Sequence, residues 1–275
     1  MNDFVIDCSR YRVEPGSDVA LADWSTDDTQ GLEREAAKSL TRRNIKAVDR
    51  LQRRLYAESR QSLLIVLQAM DTAGKDSTIR KVAGDLNPQG CRVTGFKAPT
   101  PRELAHDFLW RVHQHAPSRG MMAIFNRSHY EDVLVVRVKG LAPPDVVERR
   151  YERINEFERL LADSGTRIVK LMLHVSKEYQ LSRLRNRLSD PEKHWKFNPA
   201  DLAERKRWDD YMTAYEIALS RCSTDHAPWY VVPAEKRWFR DAMISQLLRE
   251  VLVEMDPKFP PPAYDPKDYP PESIR

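Results

Sequence analysis

The sequence has few cysteines, no long apolar run and no dominant charge. Cys8, Cys91 and Cys222 lie far apart, and no C-x-x-C pair exists. Three thiols at such spacing exclude a disulfide framework and a cysteine zinc site, and they suit a reducing, cytoplasmic setting. No apolar run approaches the roughly 18 residues of a membrane span, so no membrane partner is expected. The opening MNDFVIDCSRYRVEPGSD lacks a basic stretch followed by an apolar one, so no signal peptide is expected. Lys plus Arg number 45 and Asp plus Glu 41, a net charge of +4. That balance argues against a duplex-DNA binder but permits a local basic groove for a polyanion. There is no internal repeat.

What is present is an alternation. With 41% apolar residues the 275-residue chain has ample material for a core. Residues 1–31 are polar and turn-rich, and are expected to lie on the surface as an arm. Leu40, Val48, Leu51 and Leu55 mark one face of a helix over 32–58. Short apolar runs then read as strands at 62–68, 91–96, 120–125, 166–175 and 229–233. Helical patterns separate them. Thr100, Pro101 and Glu103 form a capping box ahead of a helix reaching 116. Another helix covers 143–165, Ser176 caps the next, and 236–255 closes the series. Strands alternating with helices predict an α/β fold, a parallel five-stranded sheet flanked by helices. The core should span 32–256. The proline-rich tail, 257–275, must be extended; docking on a neighbour and disorder both remain open for it.

LQAMDTAGKDST, residues 67–78, is nearly the phosphate-loop pattern G-x-x-x-x-G-K-[ST]. Ala69 replaces the first glycine and Asp76 the Ser/Thr; Gly74 and Lys75 are in place, with Ser77 and Thr78 just beyond. The motif follows a strand and precedes a helix, the setting a phosphate cradle needs. Loop N–H groups and the helix dipole favour an anion, and Lys75 supplies a mobile charge. The expected phosphate-binding residues are Ala73, Gly74, Lys75, Asp76 and Ser77, with Arg80 and Lys81 on the helix. A carboxylate beside phosphates repels them unless a cation intervenes. Asp71, inside the loop, therefore asks for Mg²⁺, with Mn²⁺ as a substitute. Asp76 suits the first helical turn.

Two further stretches join this one. AIFNRSHYEDVLVVRV, 123–138, starts at a strand's carboxyl end, where doubly wound sheets bind ligands. Asn126, Arg127, Glu131 and Asp132 should gather there, with Glu131 the second candidate metal ligand; His129 reads as structural. QLSRLRNRLSDPEKHWKFNPADLAERKRW, 180–208, is a basic helix, a break at Asp190-Pro191 and a second helix. Arg183 and Arg187 share a face. That is the layout of a lid, inserted at about 177–210, although a solvated helical hairpin has the same charge pattern.

These blocks, with NPQGCRVTGFKAPT, ELAHDFLWRVH, INEFERLL and STDHAPWYVVPAEKRWFRD, resemble polyphosphate kinase family 2 over roughly residues 40–256. The resemblance implies a P-loop kinase core with a helical lid. It implies reversible transfer of the terminal phosphoryl of inorganic polyphosphate to AMP or ADP, giving ADP and ATP, with Mg²⁺. Catalysis would fall to Asp71, Lys75 and Arg127, metal binding to Asp71 and Glu131. Asn126, Glu131, Arg137, Arg183, Arg187, Asp190 and Lys193 would bind nucleotide. FNRSHYED resembles the branch that accepts AMP as well as ADP; other branches tend to carry aspartate at position 126 and a neutral residue at 131. A homo-oligomer is expected, and no specific nucleic acid. Two rivals stand beside this: an ATP-dependent nucleoside monophosphate kinase, and a non-catalytic module holding polyphosphate or single-stranded nucleic acid, for which Trp195 beside Lys196 is the one hint.

Overall fold

LLIVL, residues 63–67, has no polar alternation, so its strand must be covered on both faces. The computed structural model, which describes residues 4–274, places it in the middle of the sheet. Strand β1 (Ser62–Ala69) is buried throughout. With β2 (Cys91–Gly95), β3 (Met122–Asn126), β4 (Thr166–His174) and β5 (Trp229–Pro233) it forms one sheet, order β2-β3-β1-β4-β5. Every pairing is parallel. The chain leaves β1 toward one edge and later crosses to the other side of it, so the strand order reverses at β1. A crevice opens at the carboxyl ends of strands at such a point. The register, Leu67 beside Asn126 and Ala69 beside Leu173, brings the loops after β1 and β3 together.

The helices are α1 (Arg34–Glu58), α2 (Lys75–Ala83), α3 (Pro101–Leu104), α4 (Trp110–His113), α5 (Val135–Lys139), α6 (Pro144–Asp163), α7 (Lys177–Ser189), α8 (Ala200–Lys206), α9 (Trp208–Cys222) and α10 (Arg237–Met255). α10 packs along α1 and against α2, while α6 packs on β4 and α9. Ser176 caps α7 by accepting from the Tyr179 N–H. The Thr100–Glu103 capping box is present. The single helix expected over 100–116 is instead two one-turn pieces. Asp107 accepts from the Leu109 N–H at 3.0 Å, capping a new turn where the first should have continued.

Residues 4–31 are bound more tightly than a surface arm. Ile6, Cys8, Tyr11, Val13 and Leu21 are buried. Val13 N–H donates to Trp229 O at 2.9 Å and Ser223 Oγ to Val13 O at 2.6 Å, so the segment covers the β5 edge. Its apolar residues follow no helical or strand period, which hid them. The proline-rich tail is extended with two short 3-10 turns and exposes Phe259, Tyr264, Tyr269 and Ile274.

A buried polar cluster ties the turn after β3 to the core. Lys170 Nζ of β4 meets Glu158 Oε2 of α6 at 2.5 Å and donates to Tyr130 Oη at 2.8 Å and Cys222 O at 2.5 Å. His129 Nε2 lies 3.1 Å from Glu158 Oε1, so His129 is structural, as expected. Burial pushes the Glu158 carboxyl up, but Lys170 and His129 outweigh it and hold it below the usual range. Lys170→Met strands the Glu158 carboxylate without its cation. The expected loss is about 3–5 kcal/mol, read from urea denaturation, with partial recovery in Lys170→Met/Glu158→Gln.

Candidate active site

The phosphate loop runs from the end of β1 into α2. Ala69, in place of the first glycine, is still in β1, and the left-handed backbone positions fall later, at Thr72 (φ 72°) and Gly74 (φ 105°). A side chain at 69 is therefore harmless. Lys75, the first residue of α2, is buried and turns back to donate its Nζ to Ala69 O at 2.8 Å. Its Nζ is 4.0 Å from Asp71 Oδ1. Burial lowers the Lys75 pKa, while Asp71 pulls it back up.

Arg127 reaches this loop from β3. Its N–H donates to Leu67 O at 3.0 Å and its backbone then turns left-handed, φ 62°. A non-glycine residue in that region costs roughly 1–3 kcal/mol. The turn lets its Nη2 donate to Asp71 Oδ1 at 2.8 Å. Burial raises the Asp71 carboxyl, but Lys75 and Arg127 together hold it below its ordinary value. Burial raises the Glu131 carboxyl, and here Arg127 and Lys75 only partly offset it. Asn126 Nδ2 donates to Asp76 Oδ1 at 2.7 Å.

Two cavities meet at this point. One is a groove lined by the loop, by Lys97 after β2, and by α7 and the segment behind it. Its lining holds nine cationic side chains, Lys75, Arg80, Lys97, Arg127, Arg183, Arg187, Lys193, Lys196 and Arg237, against Asp71 and Asp76. The other is a pocket between Met70, Glu131, Leu134, Val135 and Lys139 on one side and Asp201, Glu204, Tyr211 and Tyr215 on the other. Asp71 and Arg127 are the two residues common to both linings. The cover is tied down. Arg187 Nη1 donates to Asp201 Oδ2 at 3.0 Å, Arg205 Nη1 to Gln180 Oε1 at 3.1 Å, and Gln180 Nε2 to Asp71 O at 3.2 Å.

The expected residues divide accordingly. Asp71, Gly74, Lys75, Asp76, Ser77, Arg80, Asn126 and Arg127 line the groove, while Ala73 is buried in the loop beneath it. Arg183, Arg187 and Lys193, expected at the nucleotide, also line this groove and not the pocket holding Glu131. Besides Ala73, four expected residues line neither. Asp132 does not join Asn126, Arg127 and Glu131 at the site but pairs with Arg150 of α6 at 3.1 Å. Lys81, one residue past Arg80 and so about 100° around the helix, is exposed. Arg137 pairs with Glu148 of α6 at 2.6 Å, because α5 turns it away. Asp190 accepts from the Glu192 N–H and pairs with Lys193 at 2.5 Å, closing the break after α7. Unforeseen members are Lys97, Lys196 and Arg237 in the groove, and Lys139, Asp201, Glu204, Tyr211 and Tyr215 in the pocket. Only the basic composition near 196 and 237 signalled any of them.

A parallel sheet of this order, a Gly-Lys loop at its switch point and a basic helical cover define a P-loop kinase-like fold. The polyphosphate kinase 2 family matches residues 31–260. The chain is 50% identical to an AMP/ADP-polyphosphate phosphotransferase of Meiothermus ruber, over 92% of this chain and 96% of that one. It is 42% identical to an ADP-polyphosphate phosphotransferase of Rhodopseudomonas palustris, over 93% of each. The crystal structure of polyphosphate kinase 2 from Arthrobacter aurescens superposes with a TM-score of 0.92 at 43% identity, covering 95% of both chains. This chain belongs to the polyphosphate kinase 2 family. No helix among the described residues is long and apolar enough to cross a membrane.

Three variants probe the site. Lys75→Met keeps side-chain length but removes the charge, and phosphoryl transfer should fall roughly a hundredfold or more with little change in thermal midpoint. Near-normal turnover would remove Lys75 from the chemistry. On the cover, Arg183 has no carboxylate partner among the described residues: burial and the neighbouring Arg237 lower its pKa. Arg183→Ala should raise the Michaelis constant for the polyanionic substrate and flatten its salt dependence. Arg187→Ala, which also frees Asp201, should in addition raise proteolytic sensitivity between residues 189 and 200. Unchanged kinetics in both would make α7 a solvated face.

Proposed function

We propose that this protein transfers the terminal phosphoryl of inorganic polyphosphate to AMP and to ADP, giving ADP and ATP, and runs in reverse. One observation carries the reading: a strongly basic groove and a partly apolar, tyrosine-walled pocket share only Asp71 and Arg127. The groove has the charge for a long polyanion. The pocket has the aromatic and aliphatic walls for a nucleoside, with the acceptor phosphate directed at the shared pair. Lys75 and Arg127 then stabilise the charge on the phosphoryl in flight. The cover, clasped through Arg187 and Asp201, excludes water that would compete as acceptor. ATP as donor to a monophosphate has no comparable support, since a second nucleotide would lack a walled pocket.

A divalent cation, Mg²⁺ with Mn²⁺ as substitute, fits the donors. Among the described residues no three His, Cys, Asp or Glu side chains cluster as a ready-made metal site. One or two carboxylates completed by substrate phosphates is what Mg²⁺ prefers. Asp71 and Glu131 would hold it, and its charge would offset that of the substrate phosphates.

Acceptor choice rests on Glu131. AMP must bring its α-phosphate to the point where ADP brings its β-phosphate, so its nucleoside sits deeper and it carries less charge to retain a cation. Glu131 in the pocket wall compensates. With polyphosphate and Mg²⁺, wild type should convert AMP to ADP and then ATP. ATP in place of polyphosphate should not phosphorylate AMP. Glu131→Asn should lower kcat/KM for AMP roughly tenfold more than for ADP. An equal loss for both acceptors would make Glu131 a general catalytic or structural residue, and no AMP use by wild type would end the two-step reading.

A further inference from the structure

α10 sends one side chain beneath the phosphate loop. Arg240 is 1% exposed. Its Nη1 lies 3.5 Å from Ala73 O and its Nη2 3.3 Å from Ser77 Oγ. Asp241 Oδ1 holds the guanidinium from its other edge, accepting from Nε at 2.9 Å and Nη2 at 2.7 Å. A buried arginine needs such a partner, and it faces the loop with the donors that remain.

Gly74 is what admits it. A Cβ there would stand 2.4 Å from Arg240 Nη1. Glycine at this position therefore has a second cause besides its φ of 105°: any side chain would expel the guanidinium from the loop. The peptide between Ala73 and Gly74 is trans, as are all those described. In a trans peptide the carbonyl and the N–H point in opposite directions. A donor on Ala73 O from below therefore turns the Gly74 N–H upward, and Gly74 lines the groove. Glycine also lets that peptide flip, because both signs of φ are open to it. A flipped peptide would present a carbonyl oxygen to the phosphates and repel them. Ser77 is engaged in the same layer: its hydroxyl donates to Gly74 O at 2.8 Å and accepts from Arg240.

We propose that Arg240 is a positioning residue for the phosphate donor, locking the Ala73–Gly74 peptide with its N–H toward the groove. It never meets the substrate. The inference rests on the reading of the groove as the polyphosphate site, and it assigns to α10 a role in donor binding that is separate from the cover.

The test uses the full chain with Arg240→Lys and Arg240→Gln. Michaelis constants for polyphosphate and nucleotide are measured separately, together with direct binding of polyphosphate by calorimetry without nucleotide. A lysine keeps the charge but cannot reach Ala73, Ser77 and Asp241 at once. Arg240→Lys should weaken polyphosphate binding roughly tenfold, with kcat and the nucleotide constant within about twofold, and Arg240→Gln should weaken it further. Gly74→Ala should cost less in the Arg240→Gln background than in wild type, because the two changes disturb one contact. Wild-type polyphosphate binding in both Arg240 variants, or equal rises for both substrates, would overturn the proposal. Should the glutamine variant fail to fold, the lysine variant decides alone. If wild type binds polyphosphate but transfers nothing, the functional reading falls while the binding comparison still tests Arg240.

Discussion

The ion pair between Asp71 and Arg127, 2.8 Å long, is the contact on which the site depends. It joins the loop after β1 to the turn after β3, and each side carries a residue in left-handed backbone, Thr72 and Arg127. Such strain persists only where surrounding contacts over-determine it. Here the Leu67 carbonyl fixes the Arg127 N–H, and Gln180 of the cover holds the Asp71 carbonyl. The pair is thus read by three layers at once: sheet, loop and cover. It also lines both groove and pocket, so a change in its length alters both cavities together.

Behind the pair lies a second, drier layer of charge. Lys170, Glu158, Tyr130 and His129 are almost completely buried. A buried ion pair adds little net stability over an apolar substitute. What it contributes here is location, because Tyr130 can satisfy its hydroxyl only if the turn from 128 to 132 follows one path. Ser128 supports the same path, accepting from the Tyr130 N–H at 3.1 Å and from Gln68 of β1 at 3.2 Å. Glu131 sits in the middle of that turn.

The sheet and the phosphate loop could be read from the chain because their signals are local. LLIVL is a strand by its own composition, and Gly74-Lys75 is a cradle by its neighbours. The five strands fall within about two residues of the expected bounds, as boundary uncertainty allows. The groove's other cations could not be read, since Lys97, Lys196 and Arg237 are brought together by the fold and share no spacing. Charge alone misled where helix phase decides: Lys81 and Arg137 are as basic as Arg80 and Arg127, yet Lys81 lies exposed outside the groove and Arg137 pairs with Glu148. Asp107 shows a third limit, a single cap that divides a stretch whose apolar period looked continuous. The N-terminal segment was the hardest, because its buried residues follow the shape of the β5 edge and no period of their own.

That edge contact has a consequence for the order in which the protein is made. Val13 hydrogen-bonds to Trp229 and Ser223, the latter 210 positions away, and Asn44 of α1 bonds to Gln246 of α10, 202 positions away. The earlier segment of each contact therefore waits for a partner made more than 200 positions later. Until α10 has emerged, α1 has its apolar stripe uncovered, and such surface on a nascent chain is open to misassembly. Slow synthesis lengthens that exposure. The C-terminal helix that buttresses the phosphate loop is also the element that ends it.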